Sequence, residues 1–194
     1  MRFVSILVVW LLVRHLMAAS PPLEVTLKHK SAEEFATREQ LERVRQGIPA
    51  SWYFTRAVEI DEAAIPHSHP VLTLHTRHLK DDDLLLSSFI HEQLHWFLSM
   101  QKETEAAKVE LRQLFPKIPV GFPDGADSED SGYLHLLVNY LEWRADEQVI
   151  GELRARQIME FWTHDHYRSL YQMVLDHSRD IGRIVIAHHL MLPH

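Results

Sequence analysis

The stretch that decides the fold is Leu84-Leu-Leu-Ser-Ser-Phe-Ile-His-Glu-Gln-Leu-His-Trp-Phe-Leu-Ser-Met100. A run this apolar predicts a buried helix. Inside it, His91, Glu92 and His95 form the pattern H-E-x-x-H. Residues four apart lie on the same face of a helix, so the two imidazoles point the same way. Two such imidazoles can hold one zinc ion, and Glu92 can reach a water bound to it.

The pattern also has a plainer interpretation, because the chain contains 15 histidines and chance matches to H-E-x-x-H are a real risk. In that interpretation His91 and His95 are ordinary core or surface histidines. The surrounding residues argue against it. Phe89, Ile90, Trp96 and the other apolar neighbours predict burial, and a buried histidine pair without partners is costly.

A catalytic zinc usually has three protein ligands and one open position. The chain has no cysteine, so the third ligand must be His, Asp or Glu. A metzincin-type site would need a glycine at position 98 and a histidine at position 101. The chain has Leu98 and Gln101 there, which excludes that type.

The stretch Tyr133–Ile150 is the best source of a third ligand, because it lacks Gly and Pro and has helical periodicity. His135, Asn139, Glu142 and Asp146 fall on one narrow face of this helix. That face could instead be a solvent-exposed polar stripe. We choose Glu142 as the third ligand, with Asp146 as the acceptor for the free N–H of a ligand histidine.

H-E-x-x-H followed by E-x-x-x-D on a second helix resembles the glutamate zincins, the thermolysin-like metallopeptidases. The matching positions are His91, Glu92, His95, Glu142 and Asp146. The resemblance covers two helices, and it implies a zinc cofactor and a peptide or protein substrate. It also implies a zincin-like fold in which an edge strand precedes the active-site helix and binds extended peptide by strand addition.

Hydrolysis of a carbonyl also needs a hydrogen-bond donor for the oxyanion. The stretch Thr163-His-Asp-His-Tyr167 follows Glu142 in the chain and begins a helix. Thermolysin-like enzymes use downstream His and Tyr donors, so the resemblance implies catalytic roles for His166 and Tyr167. No motif fixes which of the two acts, and a structural role for each is the alternative interpretation. Two further histidine groups, His67-Ser-His69 and His75-Thr-Arg-His78, are expected at a border of loop and strand.

The chain predicts an α+β fold in one domain, 21–194, with a small sheet packed on several helices. The expected strands are Leu23–Leu27, Ser51–Ile60 and Val71–His75. The expected helices run from Ser31 to about Gln46, Leu84–Met100, Lys102–Leu114, Tyr133–Ile150 and Glu152–Leu190, the last broken near Thr163 and near Ser178–Gly182. The long loop Phe115–Gly132 either borders the cleft or is a surface excursion.

Residues 1–20 are predicted to be a signal peptide. Arg2 precedes the apolar run Phe3–Val13, and Met17-Ala-Ala-Ser20 offers a small-residue cleavage zone. The mature protein is therefore expected to be secreted or periplasmic, without stable membrane association. An uncleaved membrane anchor is the alternative. The net charge is −7 and there is no basic stripe, so nucleic acid is not an expected partner.

Together these features predict a zinc metallopeptidase that acts outside the cytoplasm. Glu92 is the expected general base, and His91, His95 and Glu142 are the expected Zn²⁺ ligands. Two alternatives stay open. One is a non-catalytic secreted module that binds metal for structure or mediates an interaction, and the other is a zinc amidase or esterase with the same ligands.

Overall fold

The computed structural model describes residues 20–193. The predicted signal peptide, apart from Ser20, lies outside the described residues. Within the described part, no helix is both long enough and apolar enough to cross a membrane.

The architecture is α+β, as the sequence predicts. The helices are α1 (Ala32–Val44), α2 (Asp82–Ser99), α3 (Thr104–Leu114), α4 (Glu129–Ile150), α5 (Glu152–Trp162) and α6 (Arg168–Ala187). The strands are β1 (Glu24–Leu27), β2 (Ala57–Ile60) and β3 (Leu72–Leu74), and they form one parallel sheet in the order β1-β2-β3. α4 packs against α2, α3, α5 and α6, which makes it the centre of the helical layer.

Strand β2 is shorter than expected, since the sequence predicts a strand from Ser51. The segment Ala50–Trp52 is a turn of 3₁₀ helix instead. The backbone N–H groups of Phe54 and Thr55 donate to the side-chain oxygen of Gln93 on α2, at 2.9 and 3.0 Å. These groups are therefore satisfied by a helix side chain rather than by a neighbouring strand.

Strand β3 lies at the edge of the sheet, but its outer side is not free. His67 and Thr73 exchange two backbone hydrogen bonds in an isolated antiparallel bridge, at 2.8 and 3.2 Å. The expectation that a peptide adds directly to this strand is therefore wrong at Thr73. The segment that contains His67 takes that place and becomes the outermost extended chain.

Helix α2 begins at Asp82, two residues before the predicted start at Leu84. The side chain of Asp81 accepts hydrogen bonds from the N–H groups of Asp83 and Leu84, which caps the helix. Asp82 and Asp83 place negative charge in the first turn, where the helix dipole favours it. From Leu84 to Leu98 nearly every side chain is buried, so α2 passes through the interior of the molecule.

Helix α4 begins at Glu129, earlier than expected, because Ser128 caps it by accepting from the N–H of Ser131. Its polar face is buried, with His135 6% exposed and Asn139, Glu142 and Asp146 fully buried. A solvent-facing polar stripe is thus excluded. The face is directed at α2 and α6 inside the molecule.

The turn between α5 and α6 places Tyr167 in the left-handed region, at φ 49° and ψ 34°. Tyrosine rarely adopts this conformation, so the surrounding structure must hold it there. The expected break near Thr163 is present as this turn. The second break lies at His177, with φ −121° and ψ 22°, just before the predicted region Ser178–Gly182.

Candidate metal centre

Three histidines meet between α2 and α4. His91 and His95 come from α2 and His135 comes from α4, and one ring nitrogen of each lies within 4.8 Å of the other two. Nε2 of His91 is 3.2 Å from Nε2 of His95. Zinc with bonds of about 2 Å to each nitrogen separates tetrahedral ligand atoms by roughly 3–4 Å. The group is therefore close to the geometry of a three-histidine zinc site.

Two of the three rings are oriented by hydrogen bonds at their other nitrogen. His91 donates from Nδ1 to Oε2 of Glu142 at 2.8 Å. His135 donates from Nδ1 to the carbonyl oxygen of Ser131, one turn earlier on α4, at 2.7 Å. In both rings the Nε2 lone pair is thus left for a metal, and metal-binding histidines are usually fixed in this way.

The protonation of two of the three histidines suits a cation. Burial, together with the charges of His91 and His135, holds the pKa of His95 well below its ordinary value. Burial and the neighbouring His91 lower the pKa of His135 to about 3. Burial also acts to lower the pKa of His91, but the Glu142 carboxylate outweighs it and the net shift is upward. His95 and His135 are therefore neutral, the form that coordinates metal.

Glu142 does not lie where a third ligand would. Its carboxylate contacts Nδ1 of His91, on the opposite side of the ring from the Nε2 that faces His95. It is fully buried, and it also accepts from the hydroxyls of Ser87 (2.5 Å) and Tyr171 (2.9 Å). The geometry does not match the predicted role of Glu142 as third ligand: its oxygens accept from three donors, and the third ring nitrogen beside those of His91 and His95 belongs to His135.

Asp146 does not accept from a ligand histidine either. It is fully buried, and neither carboxylate oxygen has a hydrogen-bond partner among the described residues. Burial and the nearby charge of Glu142 raise the pKa of Asp146 well above its ordinary value. The acceptor role expected for Asp146 is filled by Glu142, about one helical turn earlier.

Glu92 lies beside the cluster and is not part of it. It is buried, it lines the same cavity as His91, His95 and His135, and no described residue donates a hydrogen bond to it. Burial raises the pKa of Glu92 to about 7, against the opposing influence of the nearby histidines. Its carboxylate is thus free to contact a molecule in the cavity.

The cavity has a volume of about 620 Å³, and the turn between α5 and α6 forms its other wall. There His166 donates from Nδ1 to Asp165 at 2.7 Å, and Asp165 also pairs with Arg77 at 2.5 Å. The hydrogen bonds from His166 and Arg77 hold the pKa of Asp165 well below its ordinary value, although burial opposes this. Asp165 is therefore an anion that fixes the orientation of His166.

The ring of Tyr167 lies between this wall and the histidine cluster. Its ring centroid is 4.1 Å from that of His135 and 5.0 Å from that of His166. Burial and the charges of Glu92 and Asp127 raise the pKa of Tyr167 to about 12. The phenol thus keeps its proton and can donate a hydrogen bond inside the cavity. The structure brings both residues implied by the resemblance, His166 and Tyr167, to the same cavity as Glu92.

The remaining histidines have separate environments. His67 lines the cavity, His69 stacks on Trp96 with ring centroids 4.2 Å apart, and His78 packs edge-on against Trp162. A second group of possible metal donors is formed by His29, Glu34 and Asp61. Its central carboxylate, Glu34, already accepts from the backbone N–H groups of His29 and Lys30, just before α1, and from that of Glu62 after β2.

Comparison of the chain with known protein families, curated protein sequences and solved structures finds no match. The chemistry of the site itself must therefore indicate the function.

Proposed function

We propose that the protein is a zinc-dependent hydrolase that cleaves peptide bonds, with zinc held by His91, His95 and His135. One observation carries the proposal: three histidines with converging ring nitrogens border a cavity in which Glu92 is unpaired. Three protein ligands with a fourth position open to a cavity are typical of catalytic zinc rather than structural zinc.

The donor set supports zinc over the harder cations. Neutral imidazoles suit zinc and other late transition metals, whereas calcium and magnesium prefer oxygen ligands. Glu92 lines the cavity beside the histidine rings, and no residue that the structure covers donates a hydrogen bond to its carboxylate. It is adjacent to His91 in the chain and serves as a base rather than as a ligand.

When bound, zinc supplies Lewis acidity, which polarises a carbonyl and lowers the pKa of water toward about 7. The protein supplies the proton transfers. A carboxylate oxygen of Glu92 accepts the proton of the attacking water and returns it to the nitrogen of the leaving amine. The carbon–nitrogen bond breaks, and the products are a carboxylic acid and an amine.

The opposite wall supplies the Tyr167 hydroxyl as a donor to the developing oxyanion, because this phenol keeps its proton. His166 lies beside Tyr167 with Nδ1 donating to the anionic Asp165, so a neutral ring presents Nε2 to the cavity as an acceptor. Preorganised donors of this kind stabilise charge that develops in the transition state. The strained backbone of Tyr167 supports this assignment, because such strain is concentrated at functional sites.

The proposed fold relationship is to the zincins, since a strand directly precedes the helix that carries H-E-x-x-H. The main difference from the thermolysin-like arrangement is then the third zinc ligand, which is His135 where those enzymes have a glutamate. Together with the predicted signal peptide, the proposal places the enzyme outside the cytoplasm.

The deciding experiment combines metal content with activity. The purified protein is expected to contain one zinc per chain by elemental analysis and to cleave members of a broad peptide library. Glu92→Gln should retain zinc and lose on the order of 10²–10⁴ in rate. His164→Gln, which alters an exposed histidine outside the cavity, is the matched control and should change neither. Stoichiometric zinc without cleavage of any peptide, ester or amide would favour the binding module instead.

A further inference from the structure

The two most exposed large apolar side chains in the described part of the chain both border the histidine cavity. Ile65 is 85% exposed and Phe122 is 79% exposed, and both line this cavity. They come from different loops, one between β2 and β3 and the other between α3 and α4. Large apolar groups exposed to water beside a cavity mark a binding surface more often than single scattered ones do.

Both loops are held in place. The carbonyl of Ile65 accepts a hydrogen bond from Nδ1 of His67, and His67 is paired with Thr73 of β3. Backbone hydrogen bonds from Arg168 and Ser169 to the carbonyls of Pro123 and Asp124 tie the other loop to the start of α6, each at 3.1 Å. The two apolar side chains are therefore presented on fixed backbones, which lowers the entropic cost of binding.

The backbone beside Ile65 can also bind an extended chain. His67 directs its N–H and C=O toward β3, so the C=O of Pro66 and the N–H of Ser68 point the opposite way. Neither group has a hydrogen-bond partner among residues 20–193. The carbonyl of Ser68 accepts from Nε1 of Trp96 on α2, which fixes this segment beside the histidines.

The charges around the cavity favour an uncharged ligand. Arg77 is its only Lys or Arg side chain and is paired with Asp165, whereas Asp127 and Glu92 are acidic. Away from the proposed zinc, the cavity offers an acidic side chain or an anionic lipid surface no free Lys or Arg side chain. A bulky aliphatic or aromatic side chain needs no such partner.

We propose that Ile65 and Phe122 form an apolar clamp that selects peptides with a bulky, uncharged side chain next to the cleaved bond. The peptide backbone pairs with Pro66 and Ser68, and the side chain is enclosed between Ile65 and Phe122. This proposal rests on the proposed peptidase function, and it adds the substrate class.

The test uses the full zinc-loaded protein. Cleavage products of a peptide library, identified by mass spectrometry, should show Leu, Phe, Ile and Met enriched at one position beside the cleaved bond. Ile65→Ser and Phe122→Ser should each lower kcat/KM for a Leu peptide by about tenfold, mainly through KM, and leave the matched Ala peptide unaffected. Leu153→Ser is the control, because Leu153 is 74% exposed on α5, away from the cavity.

A binding measurement separates failure of the clamp from failure of the hydrolase. Fluorescence anisotropy with Glu92→Gln should show tighter binding of a labelled Gly-Leu repeat peptide than of its Gly-Asp counterpart, and Phe122→Ser in that background should remove the difference. Cleavage without apolar preference, or clamp variants that behave like Leu153→Ser, would overturn the clamp and leave the hydrolase. Absence of all cleavage would overturn the hydrolase, and the binding preference would still decide the clamp. Binding of the variants to lipid vesicles tests a membrane role. If Ile65→Ser and Phe122→Ser reduced vesicle binding but left the peptide preference unchanged, the two side chains would be assigned to a membrane instead.

Discussion

The carboxylate of Glu142 accepts a hydrogen bond from Nδ1 of His91 at 2.8 Å, with both side chains buried. This contact turns Nε2 of His91 toward His95 and His135. Ser87 and Tyr171 also donate to Glu142, so the carboxylate is held by three hydrogen bonds. In the proposed zinc site Glu142 therefore positions the ligand His91, and substitution of Glu142 should lower the zinc affinity less than substitution of a ligand does.

The first prediction distinguishes these two roles. His135→Ala should lose zinc during dialysis, because two imidazoles hold the ion weakly. Glu142→Gln should keep stoichiometric zinc, with an affinity about 10–100-fold lower, since the contact to His91 is weakened but every ligand remains. Zinc content by elemental analysis and a chelator titration provide the measurement. The reverse ranking of the two variants would make Glu142 the ligand.

A second prediction concerns Gln93, which lies inside H-E-x-x-H but faces away from the cavity. Its amide makes three hydrogen bonds, from the N–H groups of Phe54 and Thr55 and to the carbonyl of Thr55, all between 2.9 and 3.0 Å. Gln93→Leu should lower the free energy of unfolding by roughly 3 kcal/mol, because three backbone groups lose their partner. Urea denaturation of zinc-free protein measures this loss.

Gln172→Leu is the matched control for that experiment. Gln172 is exposed on α6, and its side chain makes one hydrogen bond within the described part of the chain, to Asp176 at 2.9 Å. Its replacement should change the free energy of unfolding by less than about 0.5 kcal/mol. Equal effects of the two substitutions would mean that Gln93 does not anchor α2 to the segment before β2.

The third prediction tests the donor role of Tyr167. Tyr167→Phe keeps the ring against His135 and removes only the hydroxyl. Loss of one oxyanion donor should reduce kcat by about 10²–10³, with zinc content and KM nearly unchanged. Tyr140→Phe, which removes a hydroxyl outside the cavity, should leave kcat unaltered. A change in KM alone would assign Tyr167 to substrate binding.

The sequence predicted which helices carry the residues of the site, but it did not predict which of these residues contact one another. The period of the apolar residues and the acidic residues before Leu84 indicate α2, and local helical geometry alone brings His91 and His95 together. Local helical geometry does not decide whether His135 or Glu142 is the residue of α4 that lies beside His91 and His95. The two lie on one face but roughly 10 Å apart along α4, and only the crossing of α4 over α2 decides which one reaches the histidines.

The rest of the cavity depends on contacts between distant segments. Tyr171 reaches Glu142 from α6, and Ile65 and Phe122 meet the same cavity from two loops. No periodic pattern in a loop indicates which of its residues is exposed. Ser87 was the one missed residue with a local signal, because it precedes His91 by one helical turn and so lies on the same face of α2.

The last prediction concerns pH and the buried His78. Nε2 of His78 accepts a hydrogen bond from Nε of Arg77 at 2.9 Å, and the ring packs against Trp162 at 5.5 Å. Burial and the charge of Arg77 lower the pKa of His78 to about 4, although Asp165 opposes this and the nearby His166 and His75 add to it. The folded protein therefore keeps this ring neutral at pH values where the unfolded chain protonates it.

Because the unfolded state binds the additional proton, the contribution of His78 to stability falls as the pH decreases from about 6.5 to about 4. His78 contributes a slope of up to about 1.4 kcal/mol per pH unit in this window and none above it. His78→Gln, which retains an acceptor for Arg77, should remove that part of the slope, as measured by urea denaturation at several pH values. His164→Gln, an exposed histidine, should leave the slope unchanged. Parallel curves for wild type and His78→Gln between pH 4 and 6.5 would show that His78 is charged in the folded protein, with a pKa close to that in the unfolded chain.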